Sequence, residues 1–228
     1  MSLHWEVLIP HIAHDVRTLV RKGISNAQLL EREIGPGAIP AVSGHIRAIL
    51  ESQQDLNRLF IRVVALADAR PAVQRDLPHP EETITLDLAV RGARMELRDA
   101  ILQANAELIV SELPVCDVPR KTQVVLVELI DNSLRYRDLA RPLRIVMNAE
   151  ETGGKIRVRL TDNGSGFDPV YAANLFEPFQ RLDAMRSGFG LGLAISREIV
   201  EASGGRIYCE PAERGAVFVF ELEKRSSE

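Results

Sequence analysis

KIRVRLTDNGSGF (155–167) is the stretch on which the fold turns. Its first eight residues read as a β-strand, and the carboxylate of Asp162 falls at the strand's end. Gly164 and Gly166 follow at once. Residues without side chains let a flat ligand approach the backbone closely, or supply φ > 0. A buried Asp beside them can accept a hydrogen bond from an exocyclic amine. A simple glycine turn is the other reading of the same letters.

Working outward, a strand RIVMNAE (144–150) precedes this one, joined to it by the turn signal Thr152-Gly153-Gly154. A long helix is expected from Pro119, a proline suited to a first helical turn, to about Tyr136. Before it come a strand ELIVSEL (107–113) and a helix from Asp87 to about Gln103. Downstream, the segment from Phe167 to Ser187 lacks periodicity. A helix from about Gly190 to Ala202 follows, then a hairpin of RIYCE (206–210) with AVFVFELE (216–223). These runs predict an α+β sandwich, one mixed sheet with helices on a single face.

Residues 1–70 have a different pattern. Two amphipathic helices flank the breaker-rich turn IGPGAIPAVSG (34–44). Ile12, Val16, Leu19, Ala27 and Leu30 share one stripe, and Ile46, Ile49, Leu50, Leu56, Phe60, Val63, Val64 and Ala67 share another. Such an antiparallel hairpin either packs on the rest of the chain or pairs with a second copy as a four-helix bundle. A proline-rich linker, 71–83, separates it from an α/β domain at 84–228.

The 28 basic and 32 acidic residues give a net charge of −4, which leaves no electrostatic footprint for nucleic acid. Cys116 and Cys209 match no CxxC or metal spacing and read as reduced and structural in a cytoplasmic protein. No apolar run approaches the roughly 20 residues that span a bilayer. The start, MSLHWEVLIP, does not read as a signal peptide.

Three further segments carry chemistry. In VELIDNSLRY (127–136), Glu128 and Asn132 share a helical face and Arg135 leans toward the same rim. A carboxylate, an amide oxygen and a guanidinium suit a hard metal ion with its phosphates, although a solvated polar face reads the same way. FEPFQR (176–181) lies in the irregular segment. GFGLGL (188–193) opens a helix, where backbone N–H groups form an anion-binding corner. Its GxGxG spacing is not the dinucleotide fingerprint, and no Gly-Lys-Ser/Thr of a Walker loop occurs.

In this order the four segments resemble the N, G1, F and G2 boxes of the GHKL ATP-binding fold, which histidine kinases share with gyrase-, Hsp90- and MutL-type ATPases. The resemblance covers about residues 84–223. It implies that Asn132 ligates Mg²⁺, that Glu128 assists metal or water activation, and that Arg135 and Tyr136 lie near the phosphates and base. It implies further that Asp162 recognises adenine and that Gly164, Gly166, Gly188, Gly190, Leu191 and Gly192 cradle the ATP. The segment 167–187 would then be a lid anchored by Phe176 and Phe179, with Arg181 reaching the phosphates. Phe189 stands where the family more often has a small or hydroxylic residue.

AHDVRTLV (13–20) resembles the histidine-kinase H box, with His14, Asp15, Arg17 and Thr18 in place and Leu19 where proline is common. Taking Ile12 as zero, His14 sits about 200° around the helix, away from the apolar stripe. An exposed imidazole beside a carboxylate can act as a nucleophile, Asp15 holding one ring proton. The resemblance implies a sensor histidine kinase that phosphorylates His14 from ATP and passes the phosphoryl group to an aspartate of a response-regulator receiver domain. Thr18 would serve a phosphatase activity toward that partner, and the hairpin would form a homodimer. The alternatives are another GHKL-type ATPase and a nucleotide-binding pseudokinase scaffold.

Overall fold

The structure, a computed structural model, describes residues 20, 21, 23–25, 27–30, 32, 46, 49, 50, 53, 56, 82–178, 180, 181, 190–210 and 212–224. The chain divides into two units, Met1–Asp68 and Ala69–Glu228. In the first unit every described residue is helical. Val20, Ala27 and Ile46 are buried there, whereas Leu30, Ile49 and Leu56 are about half exposed. Gly23 lies against the Gln53 side chain, where an added Cβ would collide with the amide. His14, Asp15, Thr18 and the turn at 34–44 lie outside the described residues. Among the described residues no helix is long and apolar enough to cross a membrane.

Among the described residues of the second unit the first element is strand β1 (Thr83–Thr85), so that Thr83 lies in a strand rather than in the linker. β1 pairs antiparallel with β3 (Asp117–Pro119), an arrangement the sequence reading did not anticipate. Pro119 pairs with Thr83 and does not start a helix. In a two-stranded ribbon each strand has an open edge, and there a residue without an N–H leaves no ladder bond unmade. Thr85 then caps helix α1 (Leu86–Glu96) by accepting the Leu88 N–H at 3.2 Å. Leu86, Ala89, Val90 and Ala93 form its buried stripe. The single helix expected from Asp87 to Gln103 is two, because Leu97 adopts φ −97°, ψ 9° before α2 (Arg98–Gln103).

The main sheet contains β2 (Glu107–Val110), β4 (Arg144–Thr152), β5 (Lys155–Asp162), β6 (Arg206–Glu210) and β7 (Val217–Glu223). Strand order is β2-β4-β5-β7-β6; β2 and β4 are parallel and the other pairs antiparallel. β2 stops at Val110, short of the expected Leu113. Helices α3 (Thr122–Arg135) and α4 (Gly192–Ala202) pack against each other, and α1 packs on α3.

Register sets the core. Ile156 lies opposite Leu222, Val158 opposite Phe220 and Leu160 opposite Phe218, and all six side chains are buried. On the β4 side Met147 meets Leu160, and Ile145 meets Asp162. The last pairing places a carboxylate at the end of the apolar face of the sheet, beside α3. Each large side chain buried here contributes roughly 1.5–3 kcal/mol.

The opposite face of β5, β6 and β7 carries charged residues, with Val217 and Val219 of β7 also buried on it. Glu221 sits directly across from Arg157 on β5 and Arg206 on β6. Arg206 bonds both carboxylate oxygens, at 2.7 and 3.0 Å, and Arg157 approaches to 2.9 Å. Hydrogen bonds from Arg206 first, then Arg157, hold the Glu221 carboxyl down at about 2, against the opposing effect of its burial.

Candidate functional site

Asp162, 6% exposed, closes β5 beneath the C-terminal half of α3. Both carboxylate oxygens are occupied. Oδ1 accepts the Gly164 N–H at 2.9 Å and the Ala216 N–H at 3.2 Å. Oδ2 accepts the Ser133 hydroxyl at 2.8 Å. A buried carboxylate needs such donors, because leaving its lone pairs unmet after desolvation costs several kcal/mol. Ser133, one residue after Asn132, went unnoticed in the sequence; its role depends on a partner 29 residues away. The Ala216 N–H was equally invisible, since a backbone donor carries no letter.

The glycines after Asp162 are required sterically. A Cβ on Gly164 would come within 2.6 Å of the Tyr136 carbonyl oxygen. Gly166 has φ +67°, and a Cβ there would meet the Gly215 carbonyl oxygen at 2.7 Å. Gly215, at φ +71°, packs directly on the Asp162 backbone and was also missed. Tyr136 caps the C-terminus of α3, and its carbonyl accepts both the N–H and the hydroxyl of Ser165, at 2.9 and 2.8 Å. The helix carrying Asn132 is thereby fastened to the loop that follows Asp162.

Glu128 is buried, 8% exposed, so the solvated-face reading of this helix does not hold at that position. Its Oε2 lies 2.4 Å from where a Cβ on Gly192 would fall, so any side chain in the first turn of α4 there must displace the Glu128 carboxylate. Gly190 has φ +67°, and Leu191, fully buried, precedes the helix without a side-chain cap. The first N–H groups of α4 have no carbonyl of their own helix to donate to. An oxygen-rich α3 and an open helix N-terminus thus adjoin each other. Glu128 and Asn132 offer hard oxygen donors, which fits a small divalent cation that keeps water and phosphate oxygens as its remaining ligands.

Arg135 is held by Asp131, one turn back, at 2.6 Å. After β5, Asp168 caps a short 3-10 helix, Pro169–Asn174, at the Val170 N–H. Phe176 is buried and meets the Phe218 ring edge-on at 6.3 Å. Phe167 packs on the same ring at 6.4 Å. Glu177 bonds Arg197 of α4 at 2.9 Å. Arg181 is exposed, while Phe179, Gly188 and Phe189 lie outside the described residues. Cys116 and Cys209 are free thiols, each raised above the ordinary value chiefly by burial.

A helix bearing Glu128 and Asn132, a strand ending in Asp162, and a glycine-opened helix define an ATPase domain of the GHKL type. The family described as "Histidine kinase-, DNA gyrase B-, and HSP90-like ATPase" matches residues 117–226. Over 222 residues the chain is 28% identical to the sensor protein TorS of Escherichia coli, covering 94% of this chain and 23% of TorS. It is 29% identical over 225 residues to the sensor protein VanSC of Enterococcus gallinarum, covering 95% of this chain and 60% of VanSC. Among solved structures, full-length ShkA in complex with AMPPNP superposes with TM-score 0.77 at 21% identity, over 96% of this chain and 46% of ShkA. Histidine kinase ThkA in complex with the response regulator TrrA superposes with TM-score 0.62 at 21% identity, over 97% of this chain and 62% of the ThkA chain. The chain is thus similar to sensor histidine kinases, and its match to the ATPase family falls on residues 117–226. It spans less than two thirds of the length of either curated relative.

Proposed function

We propose that this chain binds Mg-ATP, phosphorylates His14, and passes the phosphoryl group to an aspartate on a response-regulator receiver domain. The observation that supports this best is the buried Asp162, with three donors on its carboxylate, at the end of the helix that carries Glu128 and Asn132. That arrangement leaves an acceptor for an exocyclic amine at one end of the site and metal-binding oxygens at the other.

Asp162 accepts from the adenine amine, and Gly164 and Gly166 admit the base against the backbone. Asn132 would hold Mg²⁺ with Glu128 beside it, and the bound ion would supply positive charge against the phosphates. The first turn of α4 donates N–H groups to the phosphates. Arg135 and Arg181 add positive charge once they turn toward the nucleotide, and Gly188 and Gly190 let the chain wrap it. Such chemistry rests on in-line positioning and charge neutralisation rather than on covalent machinery. The His14 imidazole nitrogen attacks the γ-phosphorus and ADP leaves, while Asp15 retains the other ring proton. In a separate phosphatase activity, Thr18 orients a water that attacks the phosphoaspartate of the regulator and releases inorganic phosphate. ThkA, solved with its response regulator, supports that class of partner.

We place the hairpin in a homodimer, supported by the half-exposed Leu30, Ile49 and Leu56 on its helices. Incubation with γ-labelled ATP tests the whole reading. A phosphoprotein that is acid-labile and alkali-stable is expected. Release of inorganic phosphate without protein label would make the chain an ATPase of another kind.

A further inference from the structure

Asp131 lies on α3 between the buried Ile130 and Asn132, and its carboxylate holds a cation. Oδ2 accepts from Arg135 Nη2 at 2.6 Å, and the two side chains are only 25% and 22% exposed. Partly withdrawn from water, this pair is screened less than an exposed one, and acid before base over one turn is the favourable order. A long side chain in a helix leans back over the preceding turn. Residues 131 and 132 both lie in that turn, so the partner decides to which side the guanidinium goes.

The helical period gives the direction. With Glu128 at zero and about 100° per residue, Asn132 falls near +40°, Arg135 near −20° and Asp131 near −60°. Arg135 thus stands between the amide and the carboxylate, and its bond to Asp131 draws the guanidinium to the side away from Asn132. A phosphate beside Asn132 would offer the same cation an acceptor on the opposite side. Guanidinium pairs well with carboxylate and phosphate oxygens alike, so the two acceptors compete for it. We infer that Asp131 is a positioning residue that retains Arg135 while the site is empty and yields it to the phosphates of a bound nucleotide.

The inference deepens the proposed ATP site and rests on Asn132 and Arg135 facing its phosphates. Its consequence runs against the usual effect of breaking an ion pair. Nucleotide must break the Asp131–Arg135 bond before Arg135 can serve it, so loss of the carboxylate should strengthen binding. The gain should require both the arginine and the phosphates.

The test is calorimetric titration of the full chain, in Mg²⁺, with ADP and with adenosine. Asp131→Asn should raise ADP affinity roughly 3- to 10-fold, the range expected of a partly screened ion pair, and leave adenosine binding unchanged. Asp131→Ser, equally uncharged, gives the same reading if the asparagine variant does not fold. Asp131→Glu keeps the pair and should stay near wild type. In an Arg135→Gln background, itself weaker for ADP, Asp131→Asn should have no further effect, which is the coupling a double-mutant cycle measures. A gain of the same size in that background would mean that Asp131 acts by direct repulsion of the phosphates, and overturns the inference. Unchanged ADP affinity in Asp131→Asn would make the pair a support of the helix alone. Weakened ADP binding would place Asp131 among the groups that serve the nucleotide directly. Either result also overturns it. A wild type that binds no ADP, or an Arg135→Gln variant that binds it normally, overturns the phosphate reading of this face together with the inference.

Discussion

Ser165 is joined twice to Tyr136: its N–H and its hydroxyl both donate to the Tyr136 carbonyl oxygen, at 2.9 and 2.8 Å. Those bonds pin the end of the Asn132 helix to the Asp162 loop. They also bring the Tyr136 carbonyl so close to Gly164 that a Cβ there would sit 2.6 Å away. A backbone oxygen cannot swing aside as a flexible side chain can. Gly164→Ala should therefore destabilise the domain by roughly 1–3 kcal/mol, the usual cost of forced overpacking. It should also weaken nucleotide binding, because the loop must move off the helix. Urea melts and ADP titration on the same variant measure both. Wild-type values in each would mean that the loop has more room than the geometry allows.

Gly192 gives a second steric prediction, with a different outcome. Its neighbour is the Glu128 carboxylate, the end of a side chain that can move. Gly192→Ala should leave the fold near wild type and displace Glu128, so that the loss appears in phosphorylation rate. Autophosphorylation should fall 10-fold or more while ADP affinity changes little. A fall in thermal stability with an intact rate would contradict this division.

The charged face of the sheet predicts acid sensitivity. The Glu221 carboxyl is depressed from 4.5 to about 2, with Arg206 the largest cause. A carboxyl with a lowered folded value contributes its stability at and above its unfolded value. That contribution is lost as pH falls from about 4.5 toward 2. Chemical denaturation at pH 6 and pH 3 should show a larger drop for the wild type than for Glu221→Gln, which cannot titrate. Equal drops would mean that the pair with Arg206 does not persist in solution.

Much of this unit was legible because its signals are local. Alternation in KIRVRLTD and the helical period of α3 each lie within one element, and the glycines mark the turns at 164 and 166. The strand pairing of Pro119 was not legible, because proline is equally at home in a first helical turn and at a ribbon edge. The choice was made by Thr83, 36 positions earlier. The break at Leu97 likewise has no letter of its own, since leucine is a good helix former. In the site, Asp162, Gly164 and Gly166 stood out in the sequence, whereas Gly215 did not. Ser133 and the backbone donors of Ala216 did not, because each matters only through a partner far along the chain.

Asn132→Ala should abolish the Mg²⁺ dependence of nucleotide binding, since no neighbouring turn of α3 can supply the missing oxygen ligand. Titrating Mg²⁺ at fixed ADP should give no enhancement in this variant and a clear one in the wild type. Enhancement of wild-type size would remove Asn132 from the metal site.

The central claim is that ATP held in this domain phosphorylates His14. The most direct measurement is incorporation of γ-labelled phosphate into the full chain, compared between wild type and His14→Gln at matched ADP affinity. The account predicts acid-labile label in the wild type and none in the variant, with nucleotide binding unchanged. Label that persists in His14→Gln, or its absence from a wild type that binds ATP, would contradict it.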